Sequence, residues 1–271
     1  MRAYIIAEIG VNHGGDPCLA YALIDEAARA GADAVKLQTF RPTELSVAGT
    51  HQDMLTLLDL SLDYYPRLIE RARHWGMEFL SSPFDIESAR ALVGLGLTRL
   101  KVPSGELTNL PFLEELRTLG ARLIVSTGMA NLHECKVAHD ILGDLVDCWL
   151  HCVSVYPAPI EGYNLRAMST LFKLTKQDAG LSDHTIGDHL AIAAAAMGAR
   201  VIEKHITTYQ PPDGPDHVTS MNPYQFAEMV RKIRDIESAI GTGVKLPTPQ
   251  ELNTMPIARR VATSEGFKRQ P

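Results

Sequence analysis

The 271 residues carry 26 Lys and Arg against 32 Asp and Glu, a formal charge of -6, with 45% hydrophobic and 6% aromatic residues. This is the balance of a soluble globular chain long enough for one barrel-sized domain, and with no basic run it argues against a nucleic-acid or membrane-surface partner, whose affinity comes from clustered Lys and Arg. The most apolar stretch, 190–197, is far below the ~18–20 residues that span a bilayer, no signal pattern opens the chain, and Cys18, Cys135, Cys148 and Cys152 form no CxxC pair, so a cytoplasmic location with reduced thiols is expected.

Strand-like runs at 3–9, 34–39, 78–82, 99–103, 122–126, 148–153, 179–183 and 201–206 alternate with helical apolar spacing at 18–30, 65–75, 86–95, 112–119, 132–142, 165–174, 188–197 and 223–239. Continuous apolar strands separated by helices predict parallel pairing with both faces covered. Eight such repeats predict an α/β fold, a closed (β/α)8 TIM barrel over residues 1–241. An open doubly wound sheet is the alternative, but Gly10, Gly14 and Gly15 after the first strand do not have dinucleotide-binding GxGxxG spacing. Residues 242–271, with Pro247, Pro249 and Pro256, lose the rhythm and read as a linker-like exit segment.

Barrel active sites form from the loops that follow the strands, so polar residues at strand ends carry information. In chain order these are Glu8, with Asn12 and His13 in the next loop, then Lys36 and Gln38, Ser82, and Lys101 with Ser104 and Glu106. Ser126, then His151, Ser154 and Tyr156, then Ser182, Asp183 and His184, then Glu203, Lys204 and His205 complete the series. A strand-end Ser can simply cap the following helix, and a lysine can sit half-buried against a carboxylate. Two lysines and several hydroxyls at one mouth, however, supply the compact charge and short donors that a phosphate dianion requires. His184 and His205 end adjacent strands, and two imidazoles can bind a divalent metal as a Lewis acid. Glu8 and Glu106 are read either as salt-bridge partners or as acid/base groups, and Glu203 as an orienter of a neighbouring ligand or lysine.

Strings at these strand ends, AEIGVNHGG (7–15), AVKLQT (34–39), LSSPFD (80–85), LKVPSGELTN (100–109), IVSTGM (124–129), LHCVSVYP (150–157), GLSDHT (180–185), IEKHIT (202–207) and GPDHVTSMNP (214–223), together resemble the sialic acid synthase family. The resemblance covers most of the chain. It implies condensation of phosphoenolpyruvate with an N-acylated mannosamine-type aldose to a 2-keto-3-deoxy nonulosonic acid plus phosphate. Carried over by position, it implies metal ligands His184 and His205, for Mn2+ with Mg2+ or Co2+ as alternatives. It implies phosphoenolpyruvate ligands Lys36, Ser82, Lys101, Ser104, Ser126, Ser154 and Ser182, functional glutamates Glu8 and Glu106, and a sugar pocket lined by Gln38, Tyr156 and Asp216. A homodimer is implied as well.

The sequence departs from the family pattern in two places. Members continue through a linker into a small antifreeze-like domain, whereas this sequence runs to Pro271, soon after a linker-like 258–266, so the barrel is expected without that domain. The loop between Thr39 and Tyr65 reads as short. The 209–220 loop after strand eight is expected to wall the sugar pocket. Two rival functions stay open on the residues: a Schiff-base aldolase using Lys101 or Lys204, and a non-catalytic barrel that binds sugar or phosphate.

Overall fold

A computed structural model of the chain describes residues 2–46, 48–210, 214–263 and 266–269. Through Glu237 one compact unit repeats strand and helix eight times. In order these are β1 (Tyr4–Gly10), α1 (Pro17–Arg29), β2 (Ala34–Thr39), α2 (Pro42–Leu45), α3 (Thr50–Leu58), α4 (Tyr65–His74), β3 (Glu78–Pro83), α5 (Ile86–Gly94), β4 (Arg99–Val102) and α6 (Leu110–Thr118). They continue with β5 (Arg122–Ser126), α7 (Leu132–Leu142), β6 (Val146–Cys152), α8 (Ala167–Thr175), β7 (Asp178–Asp183), α9 (His189–Ala196), β8 (Val201–His205) and α10 (Pro223–Ala239).

All eight strands pair in parallel in the order β3-β2-β1-β8-β7-β6-β5-β4, and β3 and β4 lie beside each other to bring the barrel close to closure. The predicted (β/α)8 architecture is the one observed. Helix starts follow from local chemistry: Asp16, Asp85 and Asn109 accept backbone N–H bonds at the heads of α1, α5 and α6, and Asn131 with Glu134 forms a capping box on α7. Gly180 is required by close approach, since a Cβ there would overlap the Val201 carbonyl oxygen on β8.

Side chains alternate across each strand, and this sorts the residues into layers. Ile6, Ala34, Leu80, Ile124, Cys148, Leu150 and Val201 form an apolar plug inside the barrel. A larger core, including Ile5, Val35, Leu100, Val125, Trp149 and Ile202, packs between the strands and the helices. Each fully buried Leu or Ile contributes about 1.5–3 kcal/mol of transfer free energy. Below the plug, Tyr4 and Arg99 converge on Glu78, and Arg99 reaches Asp147. Above it the inward side chains turn polar, and the register fixes which of them share a level: Glu8 pairs with Lys36 and His205, and Ser182 with Cys152 and Glu203.

Two segments are more ordered than their composition suggests. The stretch between Thr39 and Tyr65 holds α2 and α3, because Leu55 and Leu58 pack with Val11 and Phe40 in a small cluster of their own. From Ser238 a second unit follows. In the region read as a linker-like exit it contains α11 (Pro249–Ala258) and an antiparallel pair, β9 (Arg260–Thr263) with β10 (Gly266–Arg269). Pro249 occupies the first helical turn, where a missing N–H costs nothing, and Thr248 and Glu251 form the capping box.

Candidate active site

The polar layer opens into a cavity of about 200 Å³ at the C-terminal ends of the strands. Its wall includes Glu8, Lys36, Gln38, Ser82, Lys101, Ser104, Ser126, Ser154, Tyr156, Ser182, His184 and His205 among the residues singled out in the sequence, together with Glu203, Cys152 and Met129. Every strand of the barrel thus places at least one polar group at the mouth or in the turn that follows it.

Four buried charges form the floor. Lys36 Nζ donates to Ser82 Oγ at 2.8 Å and lies 3.3 Å from Glu8 Oε2 and 3.2 Å from Glu203 Oε2. Lys101 Nζ is 3.8 Å from Glu203 Oε1, which accepts from Ser182 Oγ at 2.8 Å. Burial raises the pKa of Glu203, but Lys101 and Lys36 outweigh it, so the carboxyl ends well below its ordinary value. Glu8 goes the other way: burial pushes it up to about 7 against the pull of Lys36. Burial likewise lowers Lys36, but Glu203 and Glu8 more than compensate and hold its ammonium charged. Lys101, with its single distant carboxylate, is pushed down by burial to about 8. Two neighbouring carboxylates are therefore set apart, one firmly ionised and one poised near neutrality.

Hydroxyls ring this floor. Ser104, in the 3₁₀ turn Ser104–Glu106, accepts from the Gly128 N–H at 3.0 Å, and a Cβ at Gly128 would overlap Ser154 Oγ. Ser126 Oγ is buried without a hydrogen-bond partner. The two lysines and the five serines Ser82, Ser104, Ser126, Ser154 and Ser182 form one donor-rich concavity.

The imidazoles stand on the β7 and β8 side. The His184 and His205 ring centroids are 5.5 Å apart, and the Tyr156 ring lies 4.2 Å from that of His184. His184 Nδ1 is 2.9 Å from the Val153 carbonyl, which can only accept, so Nδ1 carries a proton and Nε2 is the nitrogen left to face a ligand. Burial and the adjacent His184 hold His205 well below its ordinary value, and its Nδ1 is buried without a hydrogen-bond partner. Among the described residues no group of three or more His, Cys, Asp or Glu could hold a metal ion. Burial lowers the pKa of His184, but Cys152 and the Val153 carbonyl more than compensate and raise it. Two imidazoles side by side, with their lone pairs free, would fit a divalent cation.

Asp216 reaches the same place from the loop after β8. Its Oδ2 is 3.7 Å from His205 Nδ1, and burial raises its pKa. Gly10, at φ +55, makes room for it: a Cβ there would come within 3.2 Å of Asp216 Oδ2, 3.3 Å of Glu8 Oε1 and 3.4 Å of Gln38 Nε2. Within the loop expected to wall the pocket, residues 211–213 lie outside the described residues.

Glu106 is placed differently from the other candidates. Its Oε2 accepts from Asn109 Nδ2 at 2.7 Å in the turn after β4, and it does not line the cavity. Lys204, a candidate nucleophile, is fully buried against Asp183 at 3.0 Å and the Thr185 carbonyl. His151 bonds the Tyr163 carbonyl and His13 accepts from the Gly15 N–H, both outside the cavity. Glu203 is more central than its sequence role of orienter suggests. Two-residue alternation with His205 was the available signal.

Comparison with known proteins gives a consistent set. The NeuB family model matches residues 23–245. The N,N'-diacetyllegionaminic acid synthases of Legionella pneumophila and Campylobacter jejuni are 41% and 40% identical, over 97% and 96% of this chain and 80% and 84% of their own lengths. The crystal structure of N-acetylneuraminic acid (sialic acid) synthetase from Leptospira borgpetersenii, in complex with citrate, superposes with a TM-score of 0.86 at 32% identity, covering 94% of this chain and 90% of that one.

Proposed function

The chain belongs to the NeuB family, and from that premise we propose that its barrel mouth condenses phosphoenolpyruvate with an N-acylated mannosamine-type aldose to give a sialic-acid-like nonulosonic acid and phosphate. It is an enzyme of the sialic acid synthase type, one that forms a carbon–carbon bond. The observation that carries the substrate assignment is the single cavity in which Lys36, Lys101 and five serine hydroxyls lie beside the imidazoles of His184 and His205.

Lys36 and Lys101 take the phosphate and carboxylate charges of the donor, while the serines orient its oxygens. His184 and His205 would hold a divalent cation, Mn2+ in this proposal, which supplies Lewis acidity to the aldehyde oxygen of the sugar when bound. Gln38, Tyr156 and Asp216 orient the open-chain sugar so that the donor C3 faces its aldehyde carbon. Forming the C–C bond leaves positive charge at the donor C2. Glu8 takes a proton from a water that adds to C2 and passes it to the alkoxide left on the former aldehyde carbon. Breaking the C2–O bond of the resulting tetrahedral carbon releases phosphate, which carries off the C2 hydroxyl proton and leaves the ketone. Glu8 is chosen over Glu106 because it lines the cavity and burial leaves it a proton acceptor near neutral pH. Glu203 keeps both lysines in place.

Phosphate release from phosphoenolpyruvate, followed with Mn2+ against a panel of N-acetylmannosamine, its 6-phosphate and a diacetamido-trideoxy aldose, tests the reaction. Release dependent on one of these sugars, with a product of the mass of donor plus sugar plus one water less phosphoric acid, is expected. Release with none of them rejects the assignment.

A further inference from the structure

Asn12 is 1% exposed, lies in the turn after β1, and makes bonds far from its own strand. Its Nδ2 donates one hydrogen to the Ile206 carbonyl and the other to Ser220 Oγ, both at 2.8 Å, across 194 and 208 residues of chain. Ser220 Oγ then donates to the Asp216 carbonyl at 2.7 Å, which also accepts from Thr219 Oγ1 at 3.0 Å. One end of this relay is thus the residue after His205, and the other is the backbone of the residue whose carboxylate stands 3.7 Å from His205. Backbone bonds from Met221 N to the His205 carbonyl and from Thr207 N to the Met221 carbonyl close the same loop onto β8.

We infer that Asn12 is a positioning residue for the sugar-binding carboxylate: through Ser220 it fixes the Asp216 backbone against the end of β8. The inference rests on the proposed sugar contact of Asp216. The chemistry is specific to an amide. A primary amide nitrogen offers two hydrogens from one uncharged atom to two acceptors, whereas an aspartate would set a carboxylate against the Ile206 carbonyl. The hydroxyl of Ser220 accepts one bond and donates the next, so the relay is lost if either side chain is truncated.

Ser220→Ala, Ser220→Thr, Asn12→Ala, Asp216→Ala and the Asp216→Ala/Ser220→Ala pair test this by steady-state kinetics, with amide exchange of residues 214–221 as a readout independent of turnover. Ser220→Ala and Asn12→Ala should each raise the sugar KM about three- to tenfold, as loss of a single hydrogen bond does. The phosphoenolpyruvate KM should stay the same and amide exchange at 214–221 should quicken. Ser220→Thr, which keeps the hydroxyl, should behave as the native enzyme. The double variant should be no worse than Asp216→Ala alone, because both act through one carboxylate. A raised sugar KM in Asp216→Ala with none in Ser220→Ala overturns the relay and leaves the role of Asp216 standing. An unchanged sugar KM in Asp216→Ala overturns that role and the inference with it. Ser220→Ala carries the test if Asn12→Ala does not fold.

Discussion

Glu203 and Lys204 are consecutive residues of β8 that face opposite sides of the barrel wall. Glu203 enters the cavity between Lys36 and Lys101, while Lys204 points away into a fully buried pair with Asp183. The parity of the strand thus assigns one to chemistry and the other to structure. Lys204→Met should lower stability by about 3–5 kcal/mol in chemical denaturation by leaving the Asp183 carboxylate buried and unpaired. Borohydride added with pyruvate should leave the protein mass unchanged. A reduced adduct on Lys101, the only lysine of the pair Lys101 and Lys204 that lines the cavity, would revive the Schiff-base aldolase.

Lys36→Ala should raise the phosphoenolpyruvate KM far more than the sugar KM. Removing one partner from a buried charge cluster costs about 2–5 kcal/mol, and Lys36 faces both Glu8 and Glu203 within 3.3 Å. Lys101→Ala should show the same selectivity. Equal losses for donor and acceptor would point to a collapsed mouth.

Burial lifts Glu8 from an ordinary 4.5 to about 7. Its folded value lies above its unfolded one, so the folded protein holds this proton more tightly, and the contribution to stability is present below about 4.5 and lost as pH rises through about 7. Its use as a base runs in the opposite direction. With Mn2+ saturating, kcat/KM should climb through a midpoint near pH 7, and Glu8→Gln should lose most activity together with that limb. An unchanged midpoint in the residual activity of Glu8→Gln would assign the limb to another group.

Gly128 leaves no room for a side chain beside the phosphate-facing serines. A Cβ would lie 2.8 Å from Ser104 Oγ and overlap Ser154 Oγ. Gly128→Ala should therefore weaken phosphoenolpyruvate binding about tenfold or more, in keeping with the 1–3 kcal/mol typical of overpacking. Gly128→Ala/Ser154→Ala should be close to Ser154→Ala alone, because truncation removes the clash. Strictly additive losses would show that the serine is not what the new methyl displaces.

Exhaustive chelation should abolish turnover, with Mn2+ restoring it, while phosphoenolpyruvate binding measured by calorimetry persists, since the lysines and serines do not depend on the two imidazoles. His205→Ala should behave as the chelated enzyme and resist rescue. Full activity after chelation would remove His184 and His205 from the chemistry.

The barrel was legible because each strand–helix repeat is punctuated by its own cap or turn. Most of the site was legible because polar residues are costly in a barrel wall unless they lie at its mouth. What stayed hidden has physical causes. β8 is buried on both faces, so alternating hydrophobicity does not tell Glu203 from Lys204. Glu106 follows the end of β4 by four residues and Ser104 by two, and the 3₁₀ turn they share directs Glu106 to Asn109. Asp216 lies eleven positions beyond His205, and only the folding of its loop, in which Asn12 takes part, brings the two together. The small cluster around Leu55 and Leu58 stabilises α3 through tertiary contacts that local spacing does not reveal.

The most direct test of the proposed chemistry follows the oxygen that bridges C2 and phosphorus in phosphoenolpyruvate. The enzyme is given donor labelled with 18O at that position, an accepted aminosugar and Mn2+, and the released phosphate is analysed by mass spectrometry. Addition of water at C2 followed by C–O cleavage places the label in phosphate in step with formation of the nonulosonic acid. Release of unlabelled phosphate, with the bridging oxygen left on the carbon skeleton, would mean attack at phosphorus and would contradict the role given to Glu8 and its water.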